Sequence, residues 1–306
     1  MNGGAEWSLH TILQWLVDNG HEAKVLTPCA SRPRFQGVQL YSDHRADHEA
    51  LYSDCDVVLT HNDFTSVAVA SAHRMRKPAV MLVHASWPAA VAGLIRRSTR
   101  ARRVVKLAVV YAADWIRDAL DLPHESIVLH PPVWPAQYHV KNEGENVTLI
   151  NCSEAKGGRL LPRIATALPR HRFLGVLGPY GTQITGSVPN LTYSPTASDV
   201  RRIYEQTRIL LCPSESEGYG RVAVEAMCSG IPVIANPVPG LIEALGDAGL
   251  FADRNQPDEW VQHIEALANR GRYQLQAGRC LRRAHALNPQ TELQAFERFL
   301  TNFLGA

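Results

Sequence analysis

The sequence predicts an α/β protein built as two parallel-sheet domains, and three observations carry that reading. Short apolar runs alternate with helically spaced apolar residues along nearly the whole chain, the pattern of repeated strand-helix units. The prolines at 131, 132 and 135 and the polar run KNEGEN at 141–146 interrupt this alternation near the middle. Residues 207–249 read as a strand, a glycine-bearing turn, a helix and a second strand, a form in which α/β sheets take phosphates.

In chain order, residues 5–19 form a helix: Leu9, Ile12, Leu13, Leu16 and Val17 make one stripe, and Gly20 suits its C-terminal end. Strands are expected at 23–27, 38–41 and 56–61, then a helix at 64–76. The run PAVMLVH at 78–84 is a buried strand with His84 at its carboxyl end, where α/β sheets face their crevice. An apolar helical segment at 89–95 leads into Arg96, Arg97, Arg100, Arg102, Arg103 and Lys106, six basic residues within eleven. Two readings of these stay open: a solvated helix end, favoured by the helix dipole, or an electropositive patch for a membrane surface, an acidic acceptor or nucleic acid. A strand at 104–110, a helix at 113–120 and a strand at 127–130 complete a first domain over 1–140. The second domain, 141–290, opens with a strand at 147–151, then Lys156-Gly157-Gly158 and a helix at 160–168. Strands at 172–178 and 190–193 and a helix at 199–206 precede the 207–249 stretch. A short strand at 250–252 and helices at 257–268, 271–287 and 291–304 close the chain, the last with Leu293, Phe296, Phe299 and Leu300 on one face.

Composition narrows the function. A chain of 306 residues is long enough for two cores, and a net charge of +2 implies no global polyanion partner. No apolar run reaches transmembrane length, and the start Met-Asn-Gly-Gly-Ala-Glu shows no leader pattern, so a cytoplasmic location is expected, peripheral at a membrane if the basic cluster serves one. The six cysteines are scattered without metal-ligand spacing and read as reduced, structural groups. The thirteen histidines include no HExxH-type pair and no carboxylate cluster stands out, so no metal site is expected.

Within 207–249, Gly218 and Gly220 lie in the turn and let the backbone approach a bound group. Glu217 precedes the turn and Glu225 lies eight positions on, in the helix stopped by Gly230 and Pro232. Spacing alone leaves open an ordinary strand-turn-helix with two surface glutamates. Glu217-Gly-Tyr-Gly, Glu225-Ala-Met and Gly230-Ile-Pro-Val in that order resemble the nucleotide-sugar site of the retaining glycosyltransferases of family 4, which have a GT-B fold. The likeness is specific over 146–252 and looser before it.

The resemblance implies two Rossmann-like domains facing across a cleft, with 291–306 packing back on the first. In that family an apolar strand precedes the glycine pair matched by Gly3-Gly4; here only Met1 and Asn2 do, so the first strand is expected to be missing through a truncated start. The implied activity is retaining, metal-independent transfer of a sugar from a nucleotide diphosphate sugar to an acceptor, with no cofactor. Glu217 and His84 take the catalytic positions, both against the donor sugar. Lys156 matches the family's diphosphate lysine, whereas its partner arginine is replaced by Asn151; Arg221 is expected to supply that charge. Glu225 is implied to bind the ribose hydroxyls, with Gly218, Tyr219, Gly220, Gly3, Gly4 and Ser194 also on the donor. A non-catalytic GT-B binding subunit and a sugar-nucleotide epimerase are the alternatives.

Overall fold

The computed structural model describes residues 3–28, 30–43, 46–61, 65–84, 106–179 and 181–305. The chain divides into two compact units, Met1–Pro132 with Pro289–Ala306, and Val133–Asn288. The division falls at the end of the proline pair, before the polar run at 141–146. Of the basic cluster, Arg96, Arg97, Arg100, Arg102 and Arg103 lie outside the described residues, as do the segment 85–105 as a whole, Cys29 and Tyr180.

The first unit starts with α1 (Gly4–Asp18), whose buried face is Ser8, Ile12, Leu13, Trp15 and Leu16. β1 (Lys24–Thr27), β2 (Arg34–Phe35) and β3 (Val38–Ser42) form a three-stranded sheet in the order β1-β3-β2, with β3 parallel to β1 and antiparallel to β2. The β2–β3 hairpin was absent from the sequence reading. Its turn is Gln36-Gly37, both at positive φ (46° and 84°), as a tight two-residue turn requires. Only the second of those residues is glycine, which hides the turn from a pattern search.

After α2 (His48–Ser53), β4 (Val58–His61), α3 (Thr65–Arg74), β5 (Ala79–Val83), β6 (Leu107–Tyr111), α4 (Asp114–Leu120) and β7 (Glu125–Val128) complete a parallel sheet in the order β4-β5-β6-β7. β5 and β6 are buried along their whole length, which explains their unbroken apolar runs. Among the described residues no strand joins β1 to β4, so the two sheets each keep an open edge. The terminal helix, Gln290–Leu304, belongs to this unit and buries Leu293, Phe296, Leu300 and Phe303. Glu292 accepts from the His130 backbone N–H at 2.9 Å and meets its Nδ1 at 2.8 Å, and Lys106 donates to the Phe303 carbonyl. Lys106 is thus tied into the fold.

The second unit runs α5 (Pro135–Tyr138), β8 (Asn146–Ile150), α6 (Leu160–Ala167), β9 (Arg172–Val176), β10 (Leu191–Ser194), α7 (Arg201–Tyr204), β11 (Thr207–Cys212), α8 (Arg221–Met227), β12 (Val233–Ala235), α9 (Pro239–Leu245), β13 (Leu250–Phe251), α10 (Pro257–Ala266) and α11 (Arg270–Ala286). Its six strands are all parallel, in the order β10-β9-β8-β11-β12-β13. The chain winds outward from β8 to β10, then returns to place β11 beside β8. That reversal is a topological switch point, and the loops after β8 and β11 therefore open a crevice at the carboxyl ends of the strands. Beneath it Leu149, Phe173, Leu211, Ile234 and the fully buried Trp260 pack as one core. The free cysteines among the described residues include the buried Cys152, Cys228 and Cys280.

Candidate functional site

The loop after β8 carries the first cation. Asn151 sits at φ 71°, a left-handed backbone that asparagine tolerates better than arginine, and its Oδ1 accepts from the Ser153 N–H at 3.1 Å. The residue expected to be an arginine is therefore a turn residue closed on its own loop. A single 3₁₀ turn, Glu154–Lys156, follows and presents Lys156. The loop after β11 is stitched to it, because the Glu215 N–H donates to the Ala155 carbonyl at 2.8 Å. Lys156 pairs with Glu217 Oε1, and the Ser214 hydroxyl donates to the same oxygen at 2.8 Å. One carboxylate oxygen thus gathers an ammonium and a hydroxyl at the switch point.

Two glycines shape the turn that follows. Gly220 caps α8 at φ 95°. Gly240, near the start of α9, lies under the turn: a Cβ there would come 2.4 Å from the Glu217 carbonyl oxygen and 2.7 Å from that of Gly218. Backbone cannot yield as a side chain can, so Gly240→Ala is expected to push the 217–218 segment out of place. The expected cost is about 1–3 kcal/mol of stability by overpacking, together with weaker nucleotide binding. Urea melts and calorimetric titration with a nucleoside diphosphate check both; unchanged binding by a folded Gly240→Ala variant would show that the turn's position is immaterial.

α8 buries its charged residues. Arg221 and Glu225 form an ion pair at 2.7 Å with side chains 7% and 8% exposed. The Arg221 guanidinium also donates to the Tyr138 hydroxyl at 2.7 Å, and the Tyr204 hydroxyl donates to Glu225 Oε2 at 2.8 Å. Burial opposes the Arg221 charge, but the Glu225 carboxylate and Tyr138 outweigh it and leave the guanidinium pKa raised. Arg221, expected to replace the absent arginine on the phosphates, has its side chain against Glu225 and Tyr138. The i,i+4 spacing on one helix face brings the pair together.

Residues 163–270 match the family model described as glycosyl transferases, group 1. That stretch, about a third of the chain, is similar to group 1 glycosyl transferases. The chain is 33% identical over 132 residues to a D-inositol 3-phosphate glycosyltransferase of Mycobacterium sp. strain KMS, covering 38% of this chain and 30% of that protein. A 79-residue stretch is 40% identical to O-antigen chain mannosyltransferase B of Escherichia coli, covering 26% of this chain and 20% of that one. The match thus spans under a third of the length of these curated relatives. Among solved structures, Anabaena Alr3699/HepE in complex with UDP-glucose superposes with a TM-score of 0.82 at 16% identity, covering 99% of this chain and 97% of that one. Sucrose-phosphate synthase from Thermosynechococcus elongatus gives 0.75 at 14%, covering 99% and 94%. The fold is GT-B, with two Rossmann-like parallel-sheet units.

The remaining expected positions fall at strand and helix ends. Ser194 ends β10, where its Oγ is buried without a hydrogen-bond partner. Gly218 and Tyr219 lie in the turn before Gly220, Tyr219 buried. Gly3 is the N-cap of α1 and Gly4 its first residue. His84 follows β5, its ring 6.1 Å from that of His61 at the end of the neighbouring β4. His84 Nε2 is buried without a hydrogen-bond partner, and burial, with a smaller push from His61, lowers the imidazole pKa to about 3. No helix among the described residues is long and apolar enough to cross a membrane.

Besides Ser214 and Gly240, three further residues carry no local signal in the sequence. Arg254, after β13, meets Glu215 at 3.0 Å and donates to the Glu154 carbonyl at 3.1 Å, so it braces the turn that presents Lys156. Tyr138 and Tyr204 complete the buried group around α8. Their partners are distant in sequence, and no local pattern announces them.

Proposed function

We propose that the chain is a retaining glycosyltransferase that moves a sugar from a nucleotide diphosphate sugar to an acceptor hydroxyl. The observation that carries this is the convergence of Lys156, Ser214 and Glu217 at the β8/β11 switch point, beside the glycine turn and the buried Glu225. As the bond to the anomeric carbon breaks, negative charge grows on the leaving diphosphate. Lys156 is the cation placed to offset it, with backbone N–H groups of the turn around Gly218, Tyr219 and Gly220 as further donors. Binding the diphosphate draws Lys156 toward it and leaves Glu217 with Ser214, its second oxygen open to the donor sugar. Glu225 takes the ribose hydroxyls, and Ser194 offers its unpartnered hydroxyl to the base.

In the first unit we assign His84 as a neutral imidazole whose Nε2 meets a sugar hydroxyl. A buried polar atom without a partner is costly, and a ligand hydroxyl removes that cost. Retention at the anomeric carbon follows from the family likeness. Solution of the protein with donor alone separates this reading from an epimerase, which converts the donor without any acceptor.

The test is a thermal-shift panel of UDP-, GDP- and ADP-sugars. A ligand at 100 times its Kd stabilises the folded state by about 2.7 kcal/mol, so one base series is expected to raise the melting temperature by several degrees. Absence of a shift across the panel at millimolar ligand overturns the proposal.

A further inference from the structure

The buried group around α8 holds more interactions than ribose binding by Glu225 requires. Arg221 Nε donates to Glu225 Oε1 at 2.7 Å and the Tyr204 hydroxyl to Oε2 at 2.8 Å. Both carboxylate oxygens are held, so the carboxylate cannot turn about its last bond. Each oxygen still has a second acceptor position. Arg221 is itself fixed from its far side, by the Tyr138 hydroxyl at 2.7 Å and by the Tyr138 ring, 5.6 Å from the guanidinium carbon.

Tyr138 is fixed in turn. It ends α5, in the short segment that opens the second unit, and that segment is clasped onto the end of α8. The Ser229 hydroxyl donates to the Tyr138 carbonyl at 3.0 Å and accepts from the Val140 N–H at 2.9 Å. His139 Nδ1 meets the Cys228 carbonyl at 3.0 Å.

We propose that Arg221 and Tyr138 are positioning residues for donor recognition, holding the Glu225 carboxylate in the single orientation in which its free acceptor positions meet the ribose diol of a nucleoside diphosphate. The inference rests on the donor-site reading above and adds to it the source of ribose specificity. Stability is a poor account of the arrangement, because a buried ion pair roughly offsets its own desolvation. Orientation is a better one. Tyr204 is wholly buried, and burial together with the Glu225 charge keeps its phenol pKa well above the ordinary value, so it acts as a fixed donor. With Arg221 on the other oxygen and Tyr138 behind Arg221, the carboxylate is held at both oxygens.

The test measures binding of UDP, GDP and ADP and of their 2′-deoxy counterparts by titration calorimetry, in the wild type, Tyr138→Phe, Arg221→Lys and Arg221→Met. The wild type is expected to prefer the ribose form of its best nucleotide by about tenfold, one hydrogen bond to a charged acceptor. Tyr138→Phe removes one hydroxyl and is expected to cut that preference about threefold. Arg221→Met is expected to abolish it and Arg221→Lys to restore part of it. With donor sugar and an acceptor, the same variants raise the donor KM more than they lower kcat. A purely structural role predicts that ribose and deoxyribose forms weaken together, and that result overturns the proposal. So does tighter ribonucleotide binding in Arg221→Met, which means that Arg221 competes with the ligand for Glu225. If Arg221→Met fails to fold, Tyr138→Phe and Arg221→Lys decide the matter by the same ratio. If no nucleotide binds the wild type at all, the donor-site reading fails first and takes this inference with it.

Discussion

Glu217→Gln is expected to reduce sugar transfer by about 10²–10³-fold, the size seen when one preorganised electrostatic group is removed from an active site, while the protein stays folded and still binds donor. The substitution keeps the shape and removes the charge. In the structure Glu217 Oε1 holds both Lys156 and the Ser214 hydroxyl, with Glu217 22% exposed and Lys156 30% exposed. Loss of the carboxylate frees Lys156 for the diphosphate, so donor Kd is expected to hold or tighten as kcat falls. That opposite movement is the diagnostic feature. Initial-rate kinetics and calorimetry on the same preparation measure it, and equal loss of binding and turnover would mean that Glu217 serves the fold of the loop rather than the transfer step.

Lowering the pH from 7 to 5 is expected to destabilise the first unit by about 2 kcal/mol through His84. The sign follows from proton counts. The folded pKa, about 3, lies below the ordinary 6.5, so between these values the unfolded chain binds a proton that the folded chain does not. Stability from this group is complete above pH 6.5 and is lost progressively as the pH falls toward 3. The cause is burial first and the neighbouring His61 second. His84→Gln removes the titration and keeps a polar side chain. Urea melts of wild type and His84→Gln at pH 7 and 5 should give a smaller pH effect in the variant. Identical slopes would show that His84 is protonated without cost and is not buried neutral.

These expectations draw on different levels of information. Strand and helix order was legible because each parallel strand is a short apolar run bounded by turn residues, as with 78–84, observed as β5 at Ala79–Val83. The short β2 was not: two residues, Arg34 and Phe35, carry no periodicity, and their pairing with β3 depends on a turn whose first residue is glutamine. α7 proved shorter than the helix expected at 199–206, spanning Arg201–Tyr204, because its last residues feed directly into β11.

At the candidate site, local sequence determined what is local. The order of strand, turn and helix placed Lys156 after β8 and Glu217 before α8, since strand ends and helix starts are set by neighbouring residues. Tertiary structure decided the partners. Lys156 and Glu217 become a pair because the chain reverses its winding direction at β8/β11, a property of sheet order that no single segment encodes. Arg221 faces Glu225 and Tyr138 because burying a guanidinium is tolerable only with a carboxylate and a hydroxyl in reach, and that second group comes from a segment 83 positions away. Composition, spacing and strand order thus determined where this protein puts its charges. Sheet order for Lys156 and Glu217, and burial for Arg221 and Glu225, determined what those charges touch.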